Sequence, residues 1–318
     1  MSVTVRRAVH LDDERLDWRL TVTDSAGTEF EVEIWQTHDP LTEWEVGVTY
    51  VIRGGYGQTW NDGTSKKLHS SKKWSADRVD TSHDCRLMVM GDTHIGRANH
   101  PSKPYRSIDC VGRFREAVEV GLTHDVDGIV HTGDVFHDAV TRSECRTVDE
   151  TFERMREYDV QFSYVLGNHE CERGTRLLRQ WENRGVGTHL DMSGSQVADG
   201  VTVYGYDHVA DARFSVDDMD VPTTLPDRFN LLVLHQTLSP FRRRAHVDLD
   251  EINERTREGF DYVVSGHLHD PEKPAWEQGE FLYAGSVENL SVNPAPSDPS
   301  VWLLTVKDGS VDTRRRRM

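Results

Sequence analysis

Five short polar clusters, most of them placed directly after an apolar run, constrain this chain more than any other feature. They read Gly91-Asp92-Thr93-His94, Gly133-Asp134, Gly167-Asn168-His169-Glu170, His235 alone, and Gly266-His267-Leu268-His269. The preceding runs are Arg86-Leu87-Met88-Val89-Met90, Gly128-Ile129-Val130, Phe162-Ser163-Tyr164-Val165-Leu166, Leu231-Leu232-Val233-Leu234 and Tyr262-Val263-Val264-Ser265. Runs this short and apolar predict buried strands. In α/β folds, crevices open at the C-terminal ends of such strands.

The clusters mix carboxylate, amide oxygen and imidazole, the donors that hard-to-borderline divalent ions take. One ion is assigned Asp92, His94, Asp134 and His269; the other, Asp134, Asn168, His235 and His267. Asp134 would bridge, with the ions roughly 3.5–4 Å apart. Asn168 is informative because a neutral oxygen suits a hard ion in a crowded site. Each cluster alone has a plainer reading. Asp-x-His is commonly a surface turn, Gly-Asn-His-Glu a tight turn, His235 a satisfied buried histidine and Gly-His-x-His a solvated loop. Taken together the plain readings fail, since packing does not require these residue types repeatedly at strand ends.

The 318 residues suffice for one large domain or two smaller ones. No amino-terminal export segment and no apolar run near membrane length is present, so a cytoplasmic protein without a membrane association is expected. Cys85, Cys110, Cys145 and Cys171 are scattered, which argues for reduced thiols rather than a disulfide framework. The net charge of −17 argues superficially against a nucleic-acid partner. Only seven of the 37 basic residues are lysine, however, and the acids are spread throughout. That resembles the proteome-wide acidity of salt-adapted (halophilic) organisms, in which local charge says more than the total.

Residues 1–80 alternate in short stretches, as in Leu16 to Thr23 and Phe30 to Trp35, separated by turn chemistry at Ser25-Ala26-Gly27, Gly54-Gly55 and Asn61-Asp62-Gly63. This predicts a small all-β domain, a five-stranded OB-like barrel. Across 81–318, strands alternate with helical stretches at Val111 to Leu122, Glu144 to Tyr158, Thr175 to Arg184 and Asp250 to Glu258, an α/β pattern. A final strand is expected over Val301 to Val306, and the run Arg314 to Arg317 reads as a frayed charged end that could touch phosphates.

The order of these motifs resembles the calcineurin-like metallophosphoesterase superfamily. Within it, Gly91-Asp92-Thr93-His94-Ile95-Gly96, Gly133-Asp134-Val135-Phe136-His137, Leu234-His235-Gln236 and Ala284-Gly285-Ser286 resemble the SbcD-like nuclease subunits of DNA double-strand-break repair complexes. The resemblance covers about residues 86 to 306 and implies two stacked β-sheets flanked by helices, a four-layer α-β-β-α sandwich, and two ions, usually Mn2+. It implies that His169 stabilises or protonates the phosphate beside the metal ligands, with Glu170 or another carboxylate orienting it. It also implies a substrate-side role in exonucleolytic cleavage for His137, whose plainer reading is a supporting hydrogen bond.

The substrate is read from the first domain. Five of eight tryptophans (Trp18, Trp35, Trp44, Trp60, Trp74) and four of seven lysines (Lys66, Lys67, Lys72, Lys73) fall there. Trp60 and Trp74 bracket the lysines, a pattern that suits single-stranded DNA or DNA ends. The plain alternative makes the tryptophans core and the lysines a solvated turn. The expected protein is therefore a DNA nuclease with its own binding module. A phosphatase or phosphodiesterase on nucleotides or phosphoproteins, and a weakly catalytic nucleic-acid scaffold, are the alternatives. The SbcD-like branch usually begins near its first Asp-x-His strand and continues into a DNA-capping domain and ATPase-binding helices. A stand-alone enzyme is thus expected rather than one bound to a coiled-coil ABC ATPase, and a homodimer is left open.

Overall fold

In a computed structural model the chain divides into two compact units, Met1–His83 and Asp84–Met318. The structure describes residues 2–11, 15–24, 28–35, 37, 44, 49–53, 55–59, 66–78, 85–100, 103–137, 140–198, 200–210, 214–222, 224, 228–243, 245, 247–256, 259–290, 298–307 and 309–318.

In the first unit the strands Ser2–His10, Leu16–Asp24 and Glu29–Trp35 form an antiparallel meander. Thr49–Arg53 pairs with the first of them, and Lys66–His69 runs parallel to the third. Tyr56–Thr59 pairs with Lys66–His69, and Thr49–Arg53 with Ser75–Arg78. If Thr49–Arg53 with Tyr56–Thr59 is counted as one strand, and Lys66–His69 with Ser75–Arg78 as another, the order is 1-2-3-5-4-1. The sheet therefore closes into a five-stranded barrel of OB type. Alternation puts Val3, Val5, Leu20, Val22, Val32 and Ile34 inside, with Trp44, Tyr50, Trp74 and Ala76 completing the core.

The second unit stacks two sheets. The first orders Gly187–His189, Gln161–Tyr164, Gly128–His131, Cys85–Met90, Ser300–Lys307 and Ser310–Arg317. Its first four strands are parallel and its last two antiparallel. The second orders Ser195–Ala198, Val201–Tyr206, Phe229–Leu234, Tyr262–Ser265 and Glu280–Tyr283, parallel except for its first member. The continuous apolar runs follow from burial on both faces. In Cys85–Met90, for example, Leu87 and Val89 pack between the sheets, while Met88 and Met90 pack under the helices Cys110–Thr123, Arg142–Glu157 and Glu172–Asn183. Asp109 caps the first helix, and Thr141 with Glu144 forms a capping box on the second. Over the second sheet the outer layer is thin among the described residues. It comprises the short helix Leu249–Glu254, a single 3₁₀ turn at Val216–Asp218 and loops.

One expectation is overturned. The run Arg314 to Arg317 is not a frayed end: it belongs to a strand paired in register from Ser310 to Arg317 against Ser300–Lys307.

Candidate metal centre

All seven predicted ligands converge on one rim, at the C-terminal ends of strands in both sheets. Loop-to-loop hydrogen bonds set the spacing. Asp92 N donates to Gly133 O (3.1 Å), His94 N to Asp134 O (2.9 Å) and Ile95 N to Val135 O (2.9 Å). Thr93 Oγ1 donates to Val135 O (3.0 Å), and Ser286 Oγ to Asp92 O (2.8 Å). Close approach needs glycine. A Cβ on Gly167 would lie 2.1 Å from Asp134 Oδ1, and Gly133 has φ +94° with no room beside the His235 ring. Among the described residues six non-glycines have positive φ, and four of them are Asp92, His94, Asp134 and His267. The other two, Asp125 and Asp159, directly follow helix caps, a local use that asparagine and aspartate tolerate. Each left-handed ligand costs about 1–3 kcal/mol, which the surrounding ladder sustains.

Each buried carboxylate commits one oxygen to the frame and leaves the other facing inward. Asp134 Oδ1 accepts from His169 N (2.8 Å), while Oδ2 lies 3.5 Å from His94 Nε2 and 3.4 Å from His235 Nε2. Asp92 Oδ2 accepts from His267 N (3.1 Å), while Oδ1 is buried with no hydrogen-bond partner. It lies 3.9 Å from His94 Nε2 and 3.8 Å from His269 Nε2. Asp92, His94 and His269 form one potential ion-holding group, and Asp92, Asp134 and His235 another. Asp92 thus faces both groups, a sharing that the sequence reading assigned to Asp134 alone.

The imidazoles are oriented in the same way. His235 Nδ1 donates to Thr132 O (2.7 Å), and His269 Nδ1 donates to Leu290 O (3.1 Å). In the neutral rings this leaves lone pairs on both Nε2 atoms. His269 Nε2 lies 3.1 Å from His94 Nε2, and Asn168 Oδ1 is 3.1 Å from His235 Nε2 and 2.9 Å from His267 Nδ1. The neutral His269 Nε2 facing Asp92 Oδ1 and the neutral His235 Nε2 facing Asn168 Oδ1, together with that orphaned buried carboxylate oxygen, cost free energy unless a proton or a metal ion lies between them. The donor set fits two divalent ions.

The titration shifts have the same origin. Burial pushes the Asp92 carboxyl up to about 8. Burial also works against the Asp134 charge, but the bond from His235, the charges of His235 and His94 and the His169 amide hold it well below the usual carboxylate range. His235 is likewise opposed by burial, yet Asp134 and Asp92 raise it to about 9, so a proton takes the place open to a cation. Burial drives His94 well down and His131 down to about 3.

His169 and His137 lie beside the predicted ligands. The His169 ring lies 4.7 Å from His137 and 5.2 Å from His94, and His137 Nδ1 is 3.2 Å from His94 Nδ1. Glu170 does not orient His169. Its two oxygens accept from Val135 N and Gly167 N, both at 2.6 Å, and so bind the Asp134 and Asn168 loops together. Burial and the Asp134 charge push its carboxyl up to about 8. His208, absent from the sequence reading, donates through Nδ1 to His235 O (2.9 Å) and stacks on His267 at 5.6 Å. Its only signal in the sequence was its place just beyond an apolar run, Val201 to Tyr206.

The barrel residues fare differently. Trp74 is 8% exposed and belongs to the core, so it offers no stacking face. Lys67 Nζ is held by Glu33 Oε1 (2.6 Å) and Glu31 Oε2 (3.4 Å). Lys72 and Lys73 are exposed. Trp60 and the Lys66 side chain lie outside the described residues. Tyr56, which the sequence reading passed over, is 53% exposed and stacks on His69 at 5.3 Å.

Comparison with known proteins places the chain in a family. The calcineurin-like phosphoesterase family pattern matches residues 85–271. The DNA double-strand break repair protein Mre11 of Haloferax volcanii is 33% identical over 239 residues, 73% of this chain and 52% of that protein. Mre11 of Halobacterium salinarum is 31% identical over 65% of this chain and 53% of its own length, so the chain spans about half of these relatives. A dimetal phosphatase from Danio rerio shares the fold, with a TM-score of 0.51 and 12% identity over 73% of this chain and 96% of that one. No helix among the described residues is long and apolar enough to cross a membrane.

Proposed function

We propose that this chain, which belongs to the calcineurin-like phosphoesterase family, is a metal-dependent hydrolase that cuts phosphodiester bonds in DNA. The observation that carries the metal chemistry is the orphaned Asp92 Oδ1 facing the Nε2 atoms of His94 and His269. Asp92, His94, Asp134 and His269 would hold one ion, and Asp134, Asn168, His235 and His267 the other. When bound, a pair of divalent ions, here Mn2+, supplies Lewis acidity and a lowered pKa for water.

The chain's own residues do the rest. The Thr132 and Leu290 carbonyls fix the ring orientation of His235 and His269. Glu170 keeps the Asp134 and Asn168 loops in register. His169, beside the ligands and half-buried, hydrogen-bonds the phosphate and delivers a proton to the departing oxygen. His137, against both His94 and His169, positions the strand being cut. DNA as the substrate is supported by similarity to two Mre11 proteins, whose names specify DNA double-strand break repair. The barrel adds exposed Tyr56, Lys72 and Lys73, suited to stacking a base and following phosphates.

Labelled single- and double-stranded DNA incubated with Mn2+ in high salt tests the reading. Wild type should cut and Asp134→Ala and His169→Ala should not. Hydrolysis of a small phosphodiester without any cutting of DNA would retain the metal site and remove the substrate assignment.

A further inference from the structure

The arginine run contributes to a feature that the metal centre does not use. In the strand Ser310–Arg317, alternation sends the four arginines to two faces. Arg315 Nε donates to Ser300 Oγ (2.9 Å) and its Nη2 to Asp298 O (2.6 Å), while Arg317 pairs with Asp298 at 3.0 Å. Arg314 and Arg316 point to the opposite face, where the helix Cys110–Thr123 ends. There they line a groove of about 560 Å³ with Arg86, Lys307, His124 and Asp312. Four permanent cations thus converge with one carboxylate, in a chain whose acids outnumber its bases 54 to 37.

Simpler accounts cover only parts of this. Guarding a sheet edge asks for charge on the edge strand itself, yet Arg86 enters from Cys85–Met90, two strands further in. Capping a helix end explains Arg86, whose Nη1 reaches His124 O at 3.4 Å, but not Arg314 or Arg316. Arg314 spends Nε on Asp312 (2.7 Å), which leaves its outer guanidinium donors pointing to solvent at 77% side-chain exposure. The Arg316 side chain has no ion pair or hydrogen bond among the described residues. Forked donors in a row recognise phosphate oxygens.

We propose that this groove binds the phosphodiester backbone of DNA, a track that shares no residue with the metal centre. The proposal rests on the DNA reading above. Its test uses the full chain, with Arg314→Gln/Arg316→Gln compared against Arg176→Gln/Arg179→Gln on the helix Glu172–Asn183. Binding of fluorescent single- and double-stranded DNA is followed across salt concentrations with divalent ions chelated. Turnover of a small chromogenic phosphodiester with Mn2+ is measured alongside.

The slope of log affinity against log salt should fall by roughly two for the groove pair, about one per arginine lost, and stay unchanged for the control. Small-substrate turnover should match wild type in both. The DNA form with the larger change identifies whether one strand or a duplex occupies the groove. Coincident slopes for both pairs overturn the proposal. So does self-association of the groove variant in size-exclusion chromatography with DNA affinity intact, which would make the arginines edge guards. If wild type binds neither DNA form yet hydrolyses the small substrate, the DNA reading fails and the groove proposal with it.

Discussion

In the barrel, Glu33 sits 7% exposed among Lys67 Nζ at 2.6 Å, Arg19 Nη2 at 3.2 Å and His69 Nδ1 at 3.3 Å. In the phosphoesterase unit, Asp92 and Asp134 sit equally deep, but their inward oxygens meet the ring nitrogens of His94, His235 and His269, which are metal-type donors rather than fixed cations. The first cluster balances an anion with the Lys67 and Arg19 cations that the chain carries. The second gathers ligand-type donors and meets its carboxylates with a titratable proton on His235, in the place open to a cation. Burial and polarity alone do not distinguish a structural ion pair from a binding site; the sign of what faces what does.

Substitutions can break that contrast, and the largest effect is expected at the shared carboxylate. Asp134→Ala should reduce cleavage to background while circular dichroism stays native, because the residue's hydrogen bond frames a loop rather than the core. His169→Ala should lower kcat about 10²–10⁴-fold with ion affinity unchanged, measured by calorimetric titration of Mn2+. Equal loss of ion affinity would make His169 a ligand instead. Next comes the response to metal. At about 100 times its dissociation constant, Mn2+ should stabilise the wild type by about 2.7 kcal/mol in urea unfolding, and Asp92→Asn should abolish that gain. Glu33→Gln should cost the barrel about 2 kcal/mol with or without Mn2+, since its charge partners are internal. A metal-dependent cost there would erase the distinction between the clusters.

Titration gives the smallest effects, with opposite signs in the two units. Burial opposes the Glu33 charge, but Lys67, His69 and Arg19 hold its carboxyl below the usual 4.5. The native barrel therefore prefers the ionised form, and this stabilisation is full above pH 4.5 and lost as pH falls through the lower native value. In the phosphoesterase unit the hydrogen bond from His189 to Asp207 (2.9 Å) raises His189 above 6.5. That contribution is full below pH 6.5 and lost as pH rises through the raised value. Being half in solvent, it should stay below about 1 kcal/mol. Unfolding midpoints of Glu33→Gln and His189→Gln against pH check both signs.

What could be read from the sequence follows the same division. The candidate ligands were legible because metal chemistry restricts residue type, so a site of this kind spells out Asp, Asn and His at strand ends. The strands were legible because double-sided burial leaves uninterrupted apolar runs. Glu170 was misassigned because its partners are backbone amides, which carry no residue identity. Trp74 was read as a platform because an aromatic residue beside lysines looks the same whether it points in or out. Only pairing of 75–78 against Thr49–Arg53 brings its neighbour Ala76, and Trp74 with it, into the core. The arginine run was read as frayed because composition hides the alternation that sends Arg314 and Arg315 to opposite faces.

The left-handed backbone at Asp92, His94, Asp134 and His267 has a consequence for how ions come and go. At Asp92, His94 and Asp134 the conformation is held by the ladder between the 92–95 and 133–137 segments, in which His137 N also donates to Ile95 O (2.8 Å), while His267 N donates to Asp92 Oδ2 (3.1 Å). The donors are therefore in place before any ion arrives. Capture of an ion there would call for its dehydration rather than for reorganisation of loops, and a frame preset in this way would favour ions whose radius suits its spacing.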